Sequence, residues 1–391
     1  MKNRNLKFFN KDNFKTMFKS KGMNNFYSAL IAIACGLLVG LIVMLFINPL
    51  QAFAGLGNVI AGGFSGGTEG IANVFYYATP IIMTGLSVGF AFRTGLFNIG
   101  ATGQYTMGMY FALYAAFMWQ NVIPGKLLWV VCVLMGLIGG ALWGIIPGLF
   151  KAYLNVNEVI TSIMFNYIGM YLVDMLIKNN GAMFTATQQR TKIPPINSNI
   201  PKMGLNYIFP NTNINGGIII AIIAAIILWV ILNKTTFGYE LKACGFNKEA
   251  AKYAGMNARQ KIVVSMMIAG SMAGLGGTLM ILAGNSNIYE PINQLAANGF
   301  TGIPVALLGM SNPLAIVLAG LFVSHLQRGG FYIQLLNFSP EIIDIIIGVI
   351  IYFSAFALIV KNLLAKLTAK NKGKPKKQKS KKLSAQTAGE Q

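Results

Sequence analysis

Long apolar runs broken by short polar punctuation dominate the chain, at residues 26–47, 71–92, 96–119, 127–150, 158–177, 216–232, 262–283, 295–308, 313–327 and 342–360. A helix rises about 1.5 Å per residue, so about 20 apolar residues cross about 30 Å of hydrocarbon. The pattern predicts an all-α integral membrane protein of about ten transmembrane helices, with 26–360 as its membrane domain. Two stretches fit less well. Residues 48–70 are apolar but Gly-rich, and 295–308 is short for a full crossing. Both read as broken or re-entrant helices or, equally, as interfacial loops; irregular backbone is tolerated at membrane depth only where protein buries it or it lines a wet cavity.

Composition agrees. Of 391 residues, 55% are hydrophobic and 10% charged, against about 25% charged in ordinary globular chains. The net charge of +21 sits mostly at the ends: residues 1–25 hold seven Lys/Arg and one acid, and 361–391 hold ten Lys and one acid. Counted on alternate sides of the ten-span map, 25 basic residues fall with the two tails and the loop 233–261, and six fall opposite. The positive-inside rule therefore makes both termini and that loop cytoplasmic, and 178–215 extracellular. Residues 1–25 place Phe8, Phe9, Phe14 and Phe18 among lysines, compatible with an interfacial helix on anionic lipid. Residues 361–391 are expected to be a disordered cytoplasmic tail. No nucleic-acid signature accompanies either tail. The first apolar run is too long for a signal h-region, so it is expected to remain as a helix.

Catalytic chemistry is scarce: the chain has one His and ten acids. Cys35, Cys132 and Cys244 form neither a metal spacing nor an even disulfide set. No phosphate-binding G-x-x-x-x-G-K-[ST] run is present. The expectation is a transporter rather than an enzyme, with no cofactor or metal of its own. Ionisable residues near spans are Arg93, Glu158, Asp174, Glu290, Glu341 and Asp344. Asp174 lies four residues before Lys178, which predicts an i,i+4 ion pair. His325 is read as a hydrogen-bonded helix-end residue rather than a proton relay.

Polar amides give the better signal. In FRTGLFNIGATGQ (92–104) three glycines loosen a helix where Asn98 and Gln104 stand beside Phe97 and Tyr105. A neutral, hydrogen-bonding solute with a ring would suit such a wall. Asn166, in MFNYIG, is a second intramembrane amide, whose alternative is interhelical glue. In the loop 233–261, Asn247 can N-cap a short helix from Lys248 to Ala254 closed by Gly255, with Ala250, Ala251 and Ala254 leaving a face small enough to seat in another protein's groove.

Across about 78–330 the sequence resembles the membrane permeases of ATP-binding-cassette importers, in the branch for nucleosides and simple sugars. The resemblance is carried by FRTGLFNIGATGQ, NVNEVITSIMFNYIGMYLV (155–173), GFNKEAAKYAGMN (245–257) with the MAGLGG that follows, and NGFTGIPVALLGMSNP (298–313). The GLFNIG form and the second segment look more like the nucleoside type. Where such permeases commonly have an acid in a GAEGQ-like run, this chain has Thr102, so a substrate contact assigned to that acid has no counterpart here. The resemblance implies a cytoplasmic ATPase with two nucleotide-binding cassettes, which holds the ATP and Mg, a second permease subunit and an extracellular substrate-binding lipoprotein. It gives Asn247, Lys248, Glu249, Ala250, Ala251, Tyr253, Ala254 and Gly255 the role of coupling to the ATPase, and directs 178–215 at the binding protein. Phe97, Asn98, Gln104 and Asn166 are the expected substrate path. The location implied is a bacterial cell membrane. A simple-sugar importer and an ion-coupled secondary carrier are the alternatives.

Overall fold

The computed structural model describes residues 21–284 and 287–353; most of the basic segment 1–25 and all of 361–391 lie outside the described residues. The described chain is helical, in the order α1 (Lys21–Ile47), α2 (Ala52–Ala61), α3 (Gly67–Arg93), α4 (Ala101–Met118), α5 (Gly125–Leu154), α6 (Glu158–Lys178), α7 (Gly217–Lys234), α8 (Thr236–Phe246), α9 (Lys248–Tyr253), α10 (Ala258–Ile281), α11 (Ala297–Leu308), α12 (Pro313–Ile333) and α13 (Ile342–Phe353). The exception is a two-residue antiparallel hairpin pairing Phe184 with Thr191 and Thr185 with Arg190.

Asparagines punctuate the helices, at Asn247 as the sequence suggests and at three further positions. Asn157, Asn247, Asn257 and Asn312 each accept a backbone N–H of the helix that follows, taking up one of the donors a helix start leaves unpaired. Pro313 follows Asn312 at the first helical position of α12, where its missing N–H costs nothing.

Seven helices are long and apolar enough to cross a membrane, where ten are expected. The other three have separate reasons. The α4 helix carries Thr102, Gln104 and Thr106 and is buried along most of its length by its neighbours, so its own hydropathy need not match lipid. The α11 helix has 12 residues, and α13 is described only over Ile342–Phe353. Residues 48–70 resolve into a broken helix: α2, a 3-10 turn at Gly62–Gly66, then α3. The break turns at Gly62, whose φ of +43° suits only glycine.

The core is built on α3, α4, α5 and α10. Along α5 and α10, Gly136, Gly140 and Gly144 meet Gly270, Gly274 and Thr278. A Cβ at Gly140 would stand 2.3 Å from the Gly270 oxygen and 2.7 Å from the Gly274 Cα. Small residues at four-residue spacing thus let two membrane helices touch backbone to backbone. Thr278 Oγ donates within this contact, 3.0 Å from Gly274 O, and lies 3.3 Å from Gly108 O on α4. On the periphery, Leu38, Ile42 and Phe46 of α1 and Ile222, Ile223, Ile226 and Ile227 of α7 are exposed. An apolar belt of that extent needs lipid or another subunit against it.

Candidate substrate path and coupling surface

The chain leaves α3 through a turn that folds back into the bundle. Gly95 takes φ +73°, and a Cβ there would lie 2.5 Å from the Gly245 Cα at the end of α8. Beyond the turn Asn98 is fully buried. Its Nδ2 donates to Gln104 Oε1 at 2.7 Å and to Ser87 Oγ at 2.9 Å, and its Oδ1 accepts from Gln104 Nε2 at 3.1 Å. Asn166 Oδ1 accepts the Gly103 N–H at 2.8 Å, and its Nδ2 donates to Ile99 O at 3.0 Å. The start of α4 has no capping side chain of its own, and Asn166 supplies the acceptor from α6. The structure therefore brings Asn98, Gln104 and Asn166 together around the first turn of α4, with their amides bonded to one another and to backbone. Phe97 is half-buried and stacks on Phe92, ring centroids 4.8 Å apart.

A second amide site lies in the short run 295–308, which the sequence leaves open between a broken helix and an interfacial loop. The α11 helix begins partway along the bundle: Thr84 Oγ, in the middle of α3, lies 2.9 Å from Asn298 O, and Gly299 packs directly on Thr102. Asn298 Nδ2 donates to Tyr105 Oη at 3.3 Å. Only the coincidence of a short apolar run with an Asn at its start signals this position in the sequence.

At one end of the bundle, α8 and α9 form the loop between α7 and α10. Asn247 Oδ1 accepts the Ala250 N–H at 3.0 Å, α9 closes at Ala254, and Gly255 takes φ +81°. Ala251 is turned inward against Cys244 and Ala258. The outward face is Glu249, Ala250, Tyr253 and Ala254, with Phe246 and Gly255 beside it, while Lys248 is half-buried. The small face expected from Ala250, Ala251 and Ala254 is thus split. Ala251 anchors α9, and two aromatic rings, Phe246 and Tyr253, stand at 88% and 93% exposure. Burial pushes the Cys244 thiol above its ordinary value, against the pull of Lys261.

This loop is tied to the amide cluster through the turn after α3. Gly245 abuts Gly95, Thr94 and Ser265 of α10 share a short hydroxyl hydrogen bond, and Arg93 Nε donates to Ser311 O at 3.1 Å, just before α12. Lys261 of α10 pairs with Glu240 of α8. The end of α8 and the start of α10 thus pack on Thr94 and Gly95, the turn that leads to Asn98.

Two polar residues depart from, or sharpen, expectation. Asp174 makes no ion pair with Lys178; among the described residues the ion pairs are Lys151–Glu158 and Lys261–Glu240. Asp174 instead turns inward, accepting the Tyr289 hydroxyl at 2.6 Å and the Asn293 N–H at 2.9 Å. Two fixed donors in a dry site hold a carboxylate better than one long side chain at the surface. Burial first, and the bond to Asp174 second, raise the Tyr289 phenol above its ordinary value, which keeps it a donor. Tyr289 also exchanges hydrogen bonds with Thr191 of the hairpin. His325 joins two backbone groups of the broken helix: Nδ1 accepts the Gly63 N–H at 3.3 Å and Nε2 lies 2.9 Å from Ile60 O. With Nδ1 accepting, Nε2 is the ring nitrogen placed to donate to Ile60 O.

Residues 70–355 match the family model described as the branched-chain amino acid transport system / permease component. The chain is similar to the guanosine ABC transporter permease protein NupP of Bacillus subtilis, 36% identical over 90% of this chain and 99% of the relative. It is also similar to the nucleoside ABC transporter permease protein NupB of Lactococcus lactis, 36% identical over 87% of this chain and 93% of the relative. A third relative is the glucose ABC transporter permease protein TsgB13 of Haloferax volcanii, 31% identical over 73% of this chain and 75% of the relative. No solved structure matches. A helical bundle with seven membrane-length helices, an exposed aromatic-flanked helix at one end and a family match over most of its length make this chain a multi-pass cell-membrane protein, a transporter subunit and not itself an enzyme, that belongs to the branched-chain amino acid transport system permease family.

Proposed function

We propose that the chain is one permease subunit of an ATP-driven importer of nucleosides. It crosses the membrane ten times with both termini and the loop holding α8 and α9 in the cytoplasm, and carries 178–215 outside. The observation that supports this reading most is the contact chain from α9 to the buried amides. The outward Ala250–Ala254 face and Tyr253 are accessible to a partner ATPase, and Gly245, Gly95, Thr94 and Ser265 join that face to Asn98, Gln104 and Asn166. Closure of the ATPase would push α8 and α9, shift the turn at Gly95, and reshape the start of α4, so that the path alternates its opening. ATP and Mg then belong to the partner, and a second permease subunit and a substrate-binding lipoprotein complete the importer. Asn98, Gln104 and Asn166 act in this scheme by fixing the path's shape, with Phe97 beside them.

Nucleoside is preferred because two relatives, each 36% identical, are named as guanosine and nucleoside permeases. The glucose relative keeps a simple-sugar substrate as the second reading. The test is uptake of radiolabelled guanosine, uridine and glucose by cells with and without this chain, before and after ATP depletion. Loss of ATP-dependent nucleoside uptake is expected. Loss of glucose uptake alone would move the chain to the sugar reading, and uptake indifferent to ATP would make it an ion-coupled carrier. Deleting 247–255 should leave insertion intact and abolish association with the ATPase; retained association overturns the coupling role.

A further inference from the structure

We infer that Asn298 and Tyr105 form the central contact for solute inside this permease, and that the site admits a neutral nucleoside and rejects its phosphorylated form. The inference rests on the importer reading above and locates its substrate contact away from the Asn98–Gln104 pair.

The two amide sites differ in spare valence. Both oxygens and most N–H groups of Asn98 and Gln104 are used within the pair and on Ser87, and both residues are shut away from any path. Asn298 spends one N–H on Tyr105; its second N–H and its Oδ1 have no side-chain or backbone partner among the described residues. Tyr105, 5% exposed as a residue, accepts that bond at Oη and makes no other described one, so its hydroxyl hydrogen is also free. Next to them Thr102 Oγ is fully buried and has no hydrogen-bond partner. Leaving a polar atom dry and unpaired costs about 1–3 kcal/mol; Thr102 Oγ is in that state, and the spare acceptor of Asn298 and the spare donor of Tyr105 stand beside it.

Position points the same way. Asn298 leans on Thr84, nine residues from the Arg93 end of α3, about 14 Å at helical rise and so near half the thickness of the membrane. It stands on the first turn of α11, which begins there without a capping side chain, and Ala297 and Phe300 on the same turn are exposed. Asn298 itself is half-buried, so part of it remains accessible. A second pair of the same kind, Asn287 Nδ2 on Tyr76 Oη at 2.7 Å, lies eleven residues upstream toward the hairpin end, so amide and phenol recur along one wall.

The chemistry selects the ligand. A carboxamide offers a donor and an acceptor side by side, which matches the adjacent donor and acceptor on a nucleobase edge. Tyr105 and Thr102 add hydroxyls suited to a sugar or a base carbonyl. Neither described ion pair involves these residues, and an unneutralised phosphate at this depth would be expensive.

The test uses the complex reconstituted with its ATPase, second permease subunit and binding protein. Asn298→Cys, in a chain whose Cys35, Cys132 and Cys244 are replaced by Ala, is labelled with a small thiosulfonate during turnover. Guanosine should slow labelling at least fivefold and guanosine monophosphate should not. In parallel, Asn298→Leu should lower the maximal rate of guanosine uptake at least tenfold and Tyr105→Phe by about fivefold. Asn298→Gln, which keeps the amide, should retain more activity than the leucine variant. If the unsubstituted complex shows no ATP-dependent guanosine uptake, the nucleoside reading fails. If it transports but guanosine gives no protection and Asn298→Leu transports normally, the site assignment alone is overturned. Equal protection by the monophosphate overturns the selectivity.

Discussion

Replacing Gly140 by Ala isolates the close contact of α5 with α10. The new Cβ would lie 2.3 Å from Gly270 O and 2.7 Å from Gly274 Cα, all backbone atoms, where carbon contacts normally settle at about 3.5–4.0 Å. The helices must part by about 1 Å, and a gap of that size forfeits a quarter to a half of each neighbouring contact. Overpacking of this kind costs about 1–3 kcal/mol. Against it stands the gain of about 1 kcal/mol from exchanging Gly for Ala inside a helix. Gly57→Ala in α2 provides the reference, because a Cβ there meets nothing within 4 Å; only the propensity gain applies. The difference between the two variants is therefore the overlap alone, about 1–3 kcal/mol, or about 5- to 150-fold in the folded-to-unfolded ratio. Thermal unfolding of each variant in the same detergent, followed by loss of the monodisperse peak after heating, measures it. Gly57→Ala should melt at or above the parent, and Gly140→Ala clearly below Gly57→Ala. Equal melting of the two would refute the direct backbone contact.

Three further outcomes are expected. Asn98→Leu and Gln104→Leu should each destabilise by about 1–3 kcal/mol because each leaves its partner buried and unpaired, while the double substitution should cost less than their sum; additive effects in a double-mutant cycle would show that the amides are not a pair. Asp174→Ala removes the acceptor of the Asn293 N–H, so hydrogen exchange at Asn293 should quicken by about tenfold, equivalent to about 1.4 kcal/mol of local opening, while Lys178→Gln leaves it unchanged; the reverse result would restore the ion pair. Cys244, buried and with its thiol raised above the ordinary value, should resist maleimide in the folded chain at neutral pH, react faster as rising pH forms the thiolate, and label at once on denaturation; rapid labelling of the native chain would contradict its burial with Ala251.

Much of the fold is legible in the sequence because it follows from local rules. Span positions follow from the length of apolar runs, since lipid thickness sets one scale for every crossing. The α9 helix, with Asn247 before it and Gly255 after it, is legible because capping depends on a few consecutive residues. The unusual shortness of 295–308 is visible for the same reason, and so is the Gly-rich break before α3.

Other features depend on which elements meet, and no local rule carries that. Asn98, Gln104 and Asn166 are recognisable as buried amides, but their valences are filled by one another and by Gly103 and Ile99, which only the packing of α6 on α4 decides. Asp174 reads as a partner for Lys178 at helical spacing, yet Tyr289 and Asn293, more than a hundred residues away, outcompete a solvated lysine. Ala251 and Ala250 are indistinguishable in sequence, and the seat formed by Cys244 and Ala258 chooses which one turns inward. The sequence by itself determined the membrane character, the helices and the caps, because hydropathy and capping act over a few neighbouring residues. The tertiary structure alone decided which polar groups are spent and which are left free, because hydrogen-bond satisfaction is a property of the neighbours that distant segments bring.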